Sequence, residues 1–266
     1  MTTQKNKLLT IVGPTAVGKT ALSLHLAQTF SGEIVSADSR LFYRGMDIGT
    51  AKPSAAEQTA VPHHFIDICQ PDETLTLGEY QAQAYQVINK ILGRERLPML
   101  VGGTGQYVKA VVEGWGIPRV APHPELRQAL EKLGQEELGR WLTALDPAKA
   151  AELDHRNVRR VIRALEVTLV RGIPISIQQK KSPPPYDILM LGLKREREEL
   201  YERIDVRVDQ MAAAGLLDEV QALLDAGYGW RLPAMSGLGY RQLRPYFEGE
   251  QTLAEALERI KFETHR

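Results

Sequence analysis

Eight residues near the N-terminus, Gly13-Pro14-Thr15-Ala16-Val17-Gly18-Lys19-Thr20, match the pattern G-x-x-x-x-G-K-[ST]. In such a loop the glycines let backbone N–H groups close around phosphate oxygens, the Lys19 ammonium neutralises charge, and the Thr20 hydroxyl can hold a magnesium ion. The pattern has this meaning between a strand and a helix, where the helix N-terminus adds positive potential. Both flanks are present. Leu8-Leu9-Thr10-Ile11-Val12 is a short apolar run with branched side chains, and residues 20–27 resume with helical spacing. A grip on a phosphate chain follows from these residues, and transfer, cleavage or release of that phosphate all remain open. Two further loops bear on the choice. One is Ser36-Ala37-Asp38-Ser39-Arg40 after a strand expected over 33–36, and the other is Gly102-Gly103-Thr104-Gly105 after a strand over 97–101. Phosphoryl-transfer enzymes usually end an apolar strand with an acid that holds magnesium. Asp38 is the one acid in such a position: as a metal ligand it favours a kinase, and as a base facing an acceptor it favours a different transfer.

These loops need elements to aim them. Thr76 and Glu79 stand at capping-box spacing and announce a helix over about 77–92. Strands alternating with helices of this length are accommodated in a parallel sheet covered on both faces, which brings the loops after the strands to one edge. From about Pro118 to Pro185 the strand signal stops. Pro122, Pro124 and Pro147 punctuate short helices there, and Pro183-Pro184-Pro185 reads as a stiff linker back to the core. Ile188-Leu189-Met190-Leu191-Gly192-Leu193 returns to strand character, a long helix is expected over 196–226 up to Gly227, and a last helix starts near Thr252. The expected fold class is α/β, a P-loop NTPase-like parallel sheet flanked by helices. The expected domains are a first core part over 1–117, a helical insertion over 118–185 and a second core part over 186–266.

Composition sets the outer bounds. At 266 residues, with 43% hydrophobic and 25% charged side chains, the chain can close one sizeable core plus an insertion, so a disordered or fibrous class is excluded. Thirty-three Lys and Arg offset 33 Asp and Glu, so bulk charge gives no argument for nucleic acid and local charge must be examined. The single cysteine, Cys69, permits no internal disulfide. No apolar run is long enough to span a bilayer, and the stretch after Lys5 and Lys7 is too short for a signal-peptide core. A soluble cytoplasmic protein without a membrane partner is expected, as a monomer.

The motifs taken together, namely residues 13–20, Ser36-Ala37-Asp38-Ser39-Arg40, Met46-Asp47-Ile48-Gly49-Thr50-Ala51-Lys52-Pro53, Pro62-His63-His64-Phe65-Ile66-Asp67, Gly102-Gly103-Thr104-Gly105-Gln106-Tyr107, Leu200-Tyr201-Glu202-Arg203-Ile204-Asp205-Val206-Arg207-Val208 and Gly237-Leu238-Gly239-Tyr240, resemble the tRNA dimethylallyltransferase (IPP transferase) family over nearly the whole chain. The resemblance implies transfer of a dimethylallyl group from dimethylallyl diphosphate to N6 of adenosine 37 in the tRNA anticodon stem-loop, with diphosphate leaving and Mg2+ as cofactor. It implies Lys19, Thr20 and Arg127 as the leaving-group set, Thr104 orienting the leaving oxygen, and Asp38 as general base for an exocyclic amine that must lose a proton as it attacks. It places tRNA contacts at Asp38, Ser39, Arg40, Leu41, Thr104 and Arg127, and in the run Arg159, Arg160, Val161, Ile162 and Arg163. Leu41 stands where many relatives carry Gln, and the family pattern continues past Glu263-Thr264, so a C-terminally shortened chain is expected.

Local charge agrees with a nucleic-acid partner. Residues 156–181 hold seven Lys or Arg against one acid, Glu166, and are locally about +6. Within a helix near 155–171, Val158, Val161, Ile162, Leu165 and Leu169 form an apolar stripe that leaves Arg156, Arg159, Arg160 and Arg163 to other faces, where phosphate contact is a natural use. An ATP-dependent small-molecule kinase, an adenylate isopentenyltransferase acting on AMP or ADP, and a non-catalytic RNA-binding protein are the alternatives. His63 and His64 read as a loop or packing element, Cys69 as a small buried hydrophobe, Trp115, Trp141 and Trp230 as packing, and the acids at 196, 198, 199 and 202 as a solvated helix face.

Overall fold

A computed structural model describes residues 6–265, so Lys5 and Arg266 lie outside the described residues. The first apolar run forms β1 (Asn6–Val12), and α1 (Lys19–Thr29) starts inside the glycine loop itself. Then come β2 (Gly32–Ser36), α2 (Ala55–Ala60), the two-residue strand β3 (His63–His64), α3 (Leu77–Gly93), β4 (Leu97–Gly102) and α4 (Gly105–Val112). The expected capping box opens α3: the Thr76 side chain accepts from the Glu79 N–H, and the Glu79 carboxylate accepts from the Thr76 N–H. Tyr80, Ala84, Ile88 and Ile91 of α3 lie on one buried stripe. The spacing of apolar residues did not announce α2 or β3, because six and two residues are too few to show a period.

The strands form one parallel sheet in the order β3-β2-β4-β1-β5, with β5 at Tyr186–Gly192. Val12 lies opposite Gly102 and Gly192, and Ser36 lies opposite Val101, so these strands end level. The loops at 13–18, 37–40 and 103–104 therefore leave one carboxyl edge, where open parallel sheets bind their ligands. Gly102 makes this possible sterically. A Cβ there would stand 2.3 Å from the Ala37 carbonyl oxygen, so any side chain at 102 would drive the β2 and β4 loops apart. Leu9, Ile11, Ala27, Ile34 and Met99 close the sheet against α1.

The chain divides into two compact units, Met1–Val108 with Pro185–Arg266, and Lys109–Pro184. The inner unit has only helices among its named elements: α5 (Pro124–Glu131), α6 (Gln135–Leu145), α7 (Pro147–Glu152), α8 (Val158–Arg171) and α9 (Ile175–Gln178). Pro124 and Pro147 each occupy a first helical turn, where a missing N–H costs nothing. Leu130, Leu138, Leu142, Val161, Ile162, Leu165 and Ile175 form its core. Leu169, expected on the buried stripe of α8, is 39% exposed, as it falls in the last turn, past the packed part of the helix.

After β5 the outer unit resumes with α10 (Arg197–Ala213), α11 (Leu216–Asp225), a 3-10 turn at Ala234–Ser236, α12 (Tyr240–Phe247) and α13 (Leu253–Thr264). The single helix expected over 196–226 is therefore two. Gly215, at φ +101°, takes a left-handed conformation that ends α10 and caps α11, and the sequence reading passed over it. These helices pack around Tyr43, Met46 and the buried Cys69 to form a second core. No helix of the described residues is long and apolar enough to cross a membrane.

Candidate active site

Three cations hold the carbonyls of the glycine loop. The Lys19 ammonium donates to the carbonyls of Gly13 and Pro14 at 2.9 and 2.8 Å, Arg203 Nε donates to the Ala16 carbonyl at 2.8 Å, and Arg195 Nε to the Val17 carbonyl at 3.0 Å. In a trans peptide the N–H points away from the C=O. Arg203 and Arg195 thus fix the orientation of the peptides that follow Ala16 and Val17. Ala16 sits at φ +62°, a strained conformation for a side-chain-bearing residue, and the Arg203 bond helps to hold it. Burial pushes the Lys19 ammonium pKa down; Asp38 opposes this and Arg207 reinforces it.

At the end of β2, Asp38 Oδ1 accepts the Arg40 N–H at 3.0 Å, closing a tight turn in which the Asp38 N–H donates to Ser36 Oγ at 3.3 Å. Its other oxygen, Oδ2, makes no protein hydrogen bond among the described residues, and Asp38 lines the cavity described below. The Thr104 hydroxyl accepts the Ser39 N–H at 3.4 Å, and the Thr104 N–H donates to the Ala37 carbonyl at 3.3 Å, so the β2 and β4 loops are stitched together. The Thr104 hydroxyl keeps its own proton to donate. Beneath this stitch the fully buried Tyr80 donates its hydroxyl to the Ser36 carbonyl at 2.9 Å and packs with Phe42, Phe65 and Tyr107.

Two cavities meet at this edge. One, of about 540 Å³, is lined by Gly13, Pro14, Thr15, Asp38, Gly49, Thr50, Gly103 and Thr104, and across from them by Ile204, Val208, Met211, Leu238 and Tyr240. The other, of about 630 Å³, is lined by Gly18, Lys19, Thr20, Glu57, Glu202 and Arg203. Arg207 lines both. Burial pushes its guanidinium pKa down, with the Asp38 carboxylate pulling the other way. Arg203 and Arg207 were missed in the sequence, although their i, i+4 spacing inside the 200–208 motif puts both on one helix face.

Arg40 lines the 540 Å³ cavity, and three of the expected site residues, Arg40 among them, have partners within the protein. Arg40 donates to the carbonyls of Pro233 and Ala234 at 3.0 and 3.3 Å, so its guanidinium clasps the turn before Ser236. Leu41 is half-buried and both its backbone groups are bonded within the loop, its N–H to Asp38 and its carbonyl to the Asp67 N–H. Arg127, expected to reach the leaving group, has two donors on the fully buried Glu166, which also receives the His123 N–H and Arg163. These partners hold the Glu166 carboxyl at about 2 against the cost of burying it. Val161 and Ile162 are 1% and 5% exposed and belong to the core of α8, which corrects their assignment as tRNA contacts, since an RNA strand cannot touch buried side chains. Arg159 and Arg160 are exposed, and their side chains have no partner among the described residues. His64 pairs with the buried Glu33 at 2.7 Å, alongside Arg94, and His63 bonds the Val61 carbonyl.

A magnesium ion needs few protein ligands when phosphate oxygens and water complete its octahedron. No cluster of three or more His, Cys, Asp or Glu able to hold a metal occurs among the described residues. The exposed Thr20 hydroxyl lines the 630 Å³ cavity together with Glu57 and Glu202, a sparse oxygen set that fits an ion carried in by a diphosphate.

A glycine loop between β1 and α1, at the carboxyl edge of a parallel sheet and sharing a cavity with Asp38, places the molecule among the P-loop NTPase-like proteins. The comparisons narrow the class. The IPP transferase family model matches residues 41–266. The chain is 59% identical over 262 residues to the tRNA dimethylallyltransferase of Roseiflexus castenholzii, covering 97% of this chain and 86% of that one. It is 56% identical to the tRNA dimethylallyltransferase of Chloroflexus aggregans, covering 98% and 89%. Among solved structures it is similar to the tRNA isopentenylpyrophosphate transferase of Bacillus halodurans, with 42% identity, a TM-score of 0.72 and coverage of 98% and 84%. It is also similar to a eukaryotic dimethylallyltransferase crystallised acting on tRNA, with 27% identity, a TM-score of 0.86 and coverage of 98% and 67%. The chain belongs to the tRNA dimethylallyltransferase, or IPP transferase, family.

Proposed function

We propose that this chain transfers the dimethylallyl group of dimethylallyl diphosphate to N6 of adenosine 37 in tRNA, acting as a monomer in the cytoplasm. The observation that carries the reading is a single cavity wall holding the phosphate loop, Asp38 and Thr104 opposite apolar side chains of α10. Phosphate grip, base and apolar surface are the three parts a prenyl transfer requires. The adenine N6 attacks C1 of the dimethylallyl group, the C1–O bond breaks, its electron pair leaves with diphosphate, and the N6 proton passes to Asp38 Oδ2. The turn that occupies Oδ1 fixes the carboxylate and leaves Oδ2 available, which suits general-base work. Lys19, Arg207 and the loop N–H groups meet the charge that develops on the departing oxygens, and Thr104 donates to the leaving oxygen. Thr20 would hold a magnesium ion arriving with the diphosphate, and the ion would supply further charge neutralisation.

An adenine inside an anticodon loop must be turned out of its stack to reach such a cavity, so a grip on the flanking phosphates is required. The unpartnered Arg159 and Arg160 on α8 support a tRNA-binding role for the helical insertion. The test is incubation with labelled dimethylallyl diphosphate and a synthetic anticodon stem-loop, beside AMP as acceptor and labelled ATP as donor. Label on the stem-loop, with little on AMP and no γ-phosphate on any acceptor, is expected. Prenylated AMP at a comparable rate would replace the reading with an adenylate isopentenyltransferase, and γ-phosphate transfer would replace it with a kinase.

A further inference from the structure

The 47–50 turn forms part of the cavity wall, yet no step described above uses it. Three successive backbone amides of this turn, those of Asp47, Ile48 and Gly49, donate to one carboxylate, Glu219 of α11, at 2.7, 2.7 and 3.0 Å. Three N–H groups converging in this way make an anion nest, and here the anion comes from the same chain, some 170 residues away. Tyr240 donates its hydroxyl to the same carboxylate at 2.6 Å. Its ring is fully buried and lies so close to Gly49 that a Cβ there would stand 2.6 Å from it. The turn is thus fixed from two sides, by hydrogen bonds and by packing. Next to the nest, Thr50 Oγ1 donates to the Met46 carbonyl at 2.6 Å, which sets the Thr50 peptide. The Thr50 carbonyl faces Arg207 Nη2 in a long contact of 3.5 Å, the one hydrogen bond this guanidinium makes among the described residues.

We propose that Glu219 and Tyr240 are positioning residues for the transfer: they hold the 47–50 turn so that the Thr50 carbonyl anchors the Arg207 guanidinium between the phosphate loop and Asp38. The proposal deepens the prenyl-transfer reading and rests on it. Without the anchor, Arg207 loses orientation and not charge, so the effect falls on the diphosphate-bearing substrate and not on the RNA. Glu219→Gln replaces one acceptor oxygen with a donor facing N–H groups, and Tyr240→Phe keeps the ring on Gly49 while removing one hydrogen bond.

The experiment measures steady-state transfer to an anticodon stem-loop for wild type, Tyr240→Phe, Glu219→Gln, Arg207→Lys and the Glu219→Gln/Arg207→Lys double variant. Inorganic pyrophosphate binding is measured in parallel by calorimetry. The expected result is a donor KM raised about tenfold in Glu219→Gln and about threefold in Tyr240→Phe, as for losing charged and neutral hydrogen bonds respectively. The stem-loop KM should stay within about twofold of wild type, and the double variant should bind pyrophosphate no more weakly than Arg207→Lys alone. A purely structural clamp would lower kcat with the fraction of folded protein and leave the donor KM unchanged; that result, or additive losses in the double variant, overturns the proposal. A wild-type protein that binds pyrophosphate but transfers no prenyl group would instead sink the functional reading, and the pyrophosphate cycle would still decide whether Glu219 acts through Arg207.

Discussion

Asp38→Asn isolates the base from the loop it shapes. The amide oxygen of Asn can still accept the Arg40 N–H that Oδ1 accepts at 3.0 Å, so the turn after β2 and the Ser39 N–H to Thr104 contact should survive. What is lost is the basic oxygen facing the cavity. General-base catalysis contributes about 10²- to 10⁴-fold, or roughly 3–5 kcal/mol of barrier. Binding should move the other way, if at all. The Asp38 carboxylate is the anion acting on both Lys19 and Arg207, and removing it frees their positive potential for the diphosphate. The assay is single-turnover prenylation of an anticodon stem-loop at saturating donor, with stem-loop affinity measured separately by filter binding. The expectation is a rate reduced at least about a hundredfold, donor affinity equal or higher, and RNA affinity unchanged. A variant within about tenfold of the wild-type rate would refute Asp38 as the base, because no other side chain in the cavity combines a free carboxylate oxygen with a place beside Thr104.

Lys19→Ala should raise the donor KM by about tenfold or more with the stem-loop KM little changed, since the ammonium belongs to the phosphate loop; equal loss for both substrates would contradict this. Arg203→Ala frees the Ala16 carbonyl and removes a cation from the 630 Å³ cavity, and should weaken pyrophosphate binding severalfold by calorimetry. Replacing Arg159 and Arg160 together by Ala should reduce the slope of log K against log salt for tRNA binding by about 1.5 to 2, the value for two lost phosphate contacts, without changing the donor KM. Glu166 predicts an acid transition. Its carboxyl is lowered from 4.5 to about 2, so the group stabilises the fold fully above the unfolded value and loses that contribution as pH falls from about 4.5 through 2. A contribution on the order of 3 kcal/mol is expected, and Glu166→Gln should flatten the unfolding free energy across that window while lowering stability at neutral pH.

The parts of the site legible in the sequence are those whose meaning is local. Residues 13–20 declare a phosphate loop because strand, glycines, lysine and helix follow one another without a gap, and the alternation of elements brings Asp38 and Thr104 to the same edge. What escaped the reading is long-range. Arg207 approaches Asp38, and Glu219 approaches the 47–49 amides, only after the α10–α13 helices have packed on Tyr43 and Met46. Nothing near residue 47 announces a carboxylate from residue 219. Arg127 shows the converse. The family resemblance implied Arg127 in the leaving-group set, and within the insertion its guanidinium pairs with the one acid of the 156–181 segment, the buried Glu166.

The same point revises how a chain of zero net charge can grip a polyanion. Counting residues gives 156–181 a charge of about +6, yet the folded insertion commits most of those cations internally. Arg156 chelates Asp154, Arg163 bonds Glu166 and the Val120 carbonyl, Arg171 donates to the Arg119 carbonyl, and Lys181 pairs with Glu113. Arg159, Arg160 and Lys180 are left without a partner among the described residues. Exposed pairs such as Arg156 with Asp154 stabilise little and can be exchanged for phosphate at low cost, whereas the pair on Glu166 cannot, because a bare buried carboxylate would remain. The proposed RNA grip of the insertion therefore rests on two or three free cations and a further group that exchanges partners, with the buried Glu166 hub joining α5 to α8. The free cations do not share one element: Arg159 and Arg160 lie on α8, while Lys180 follows α9.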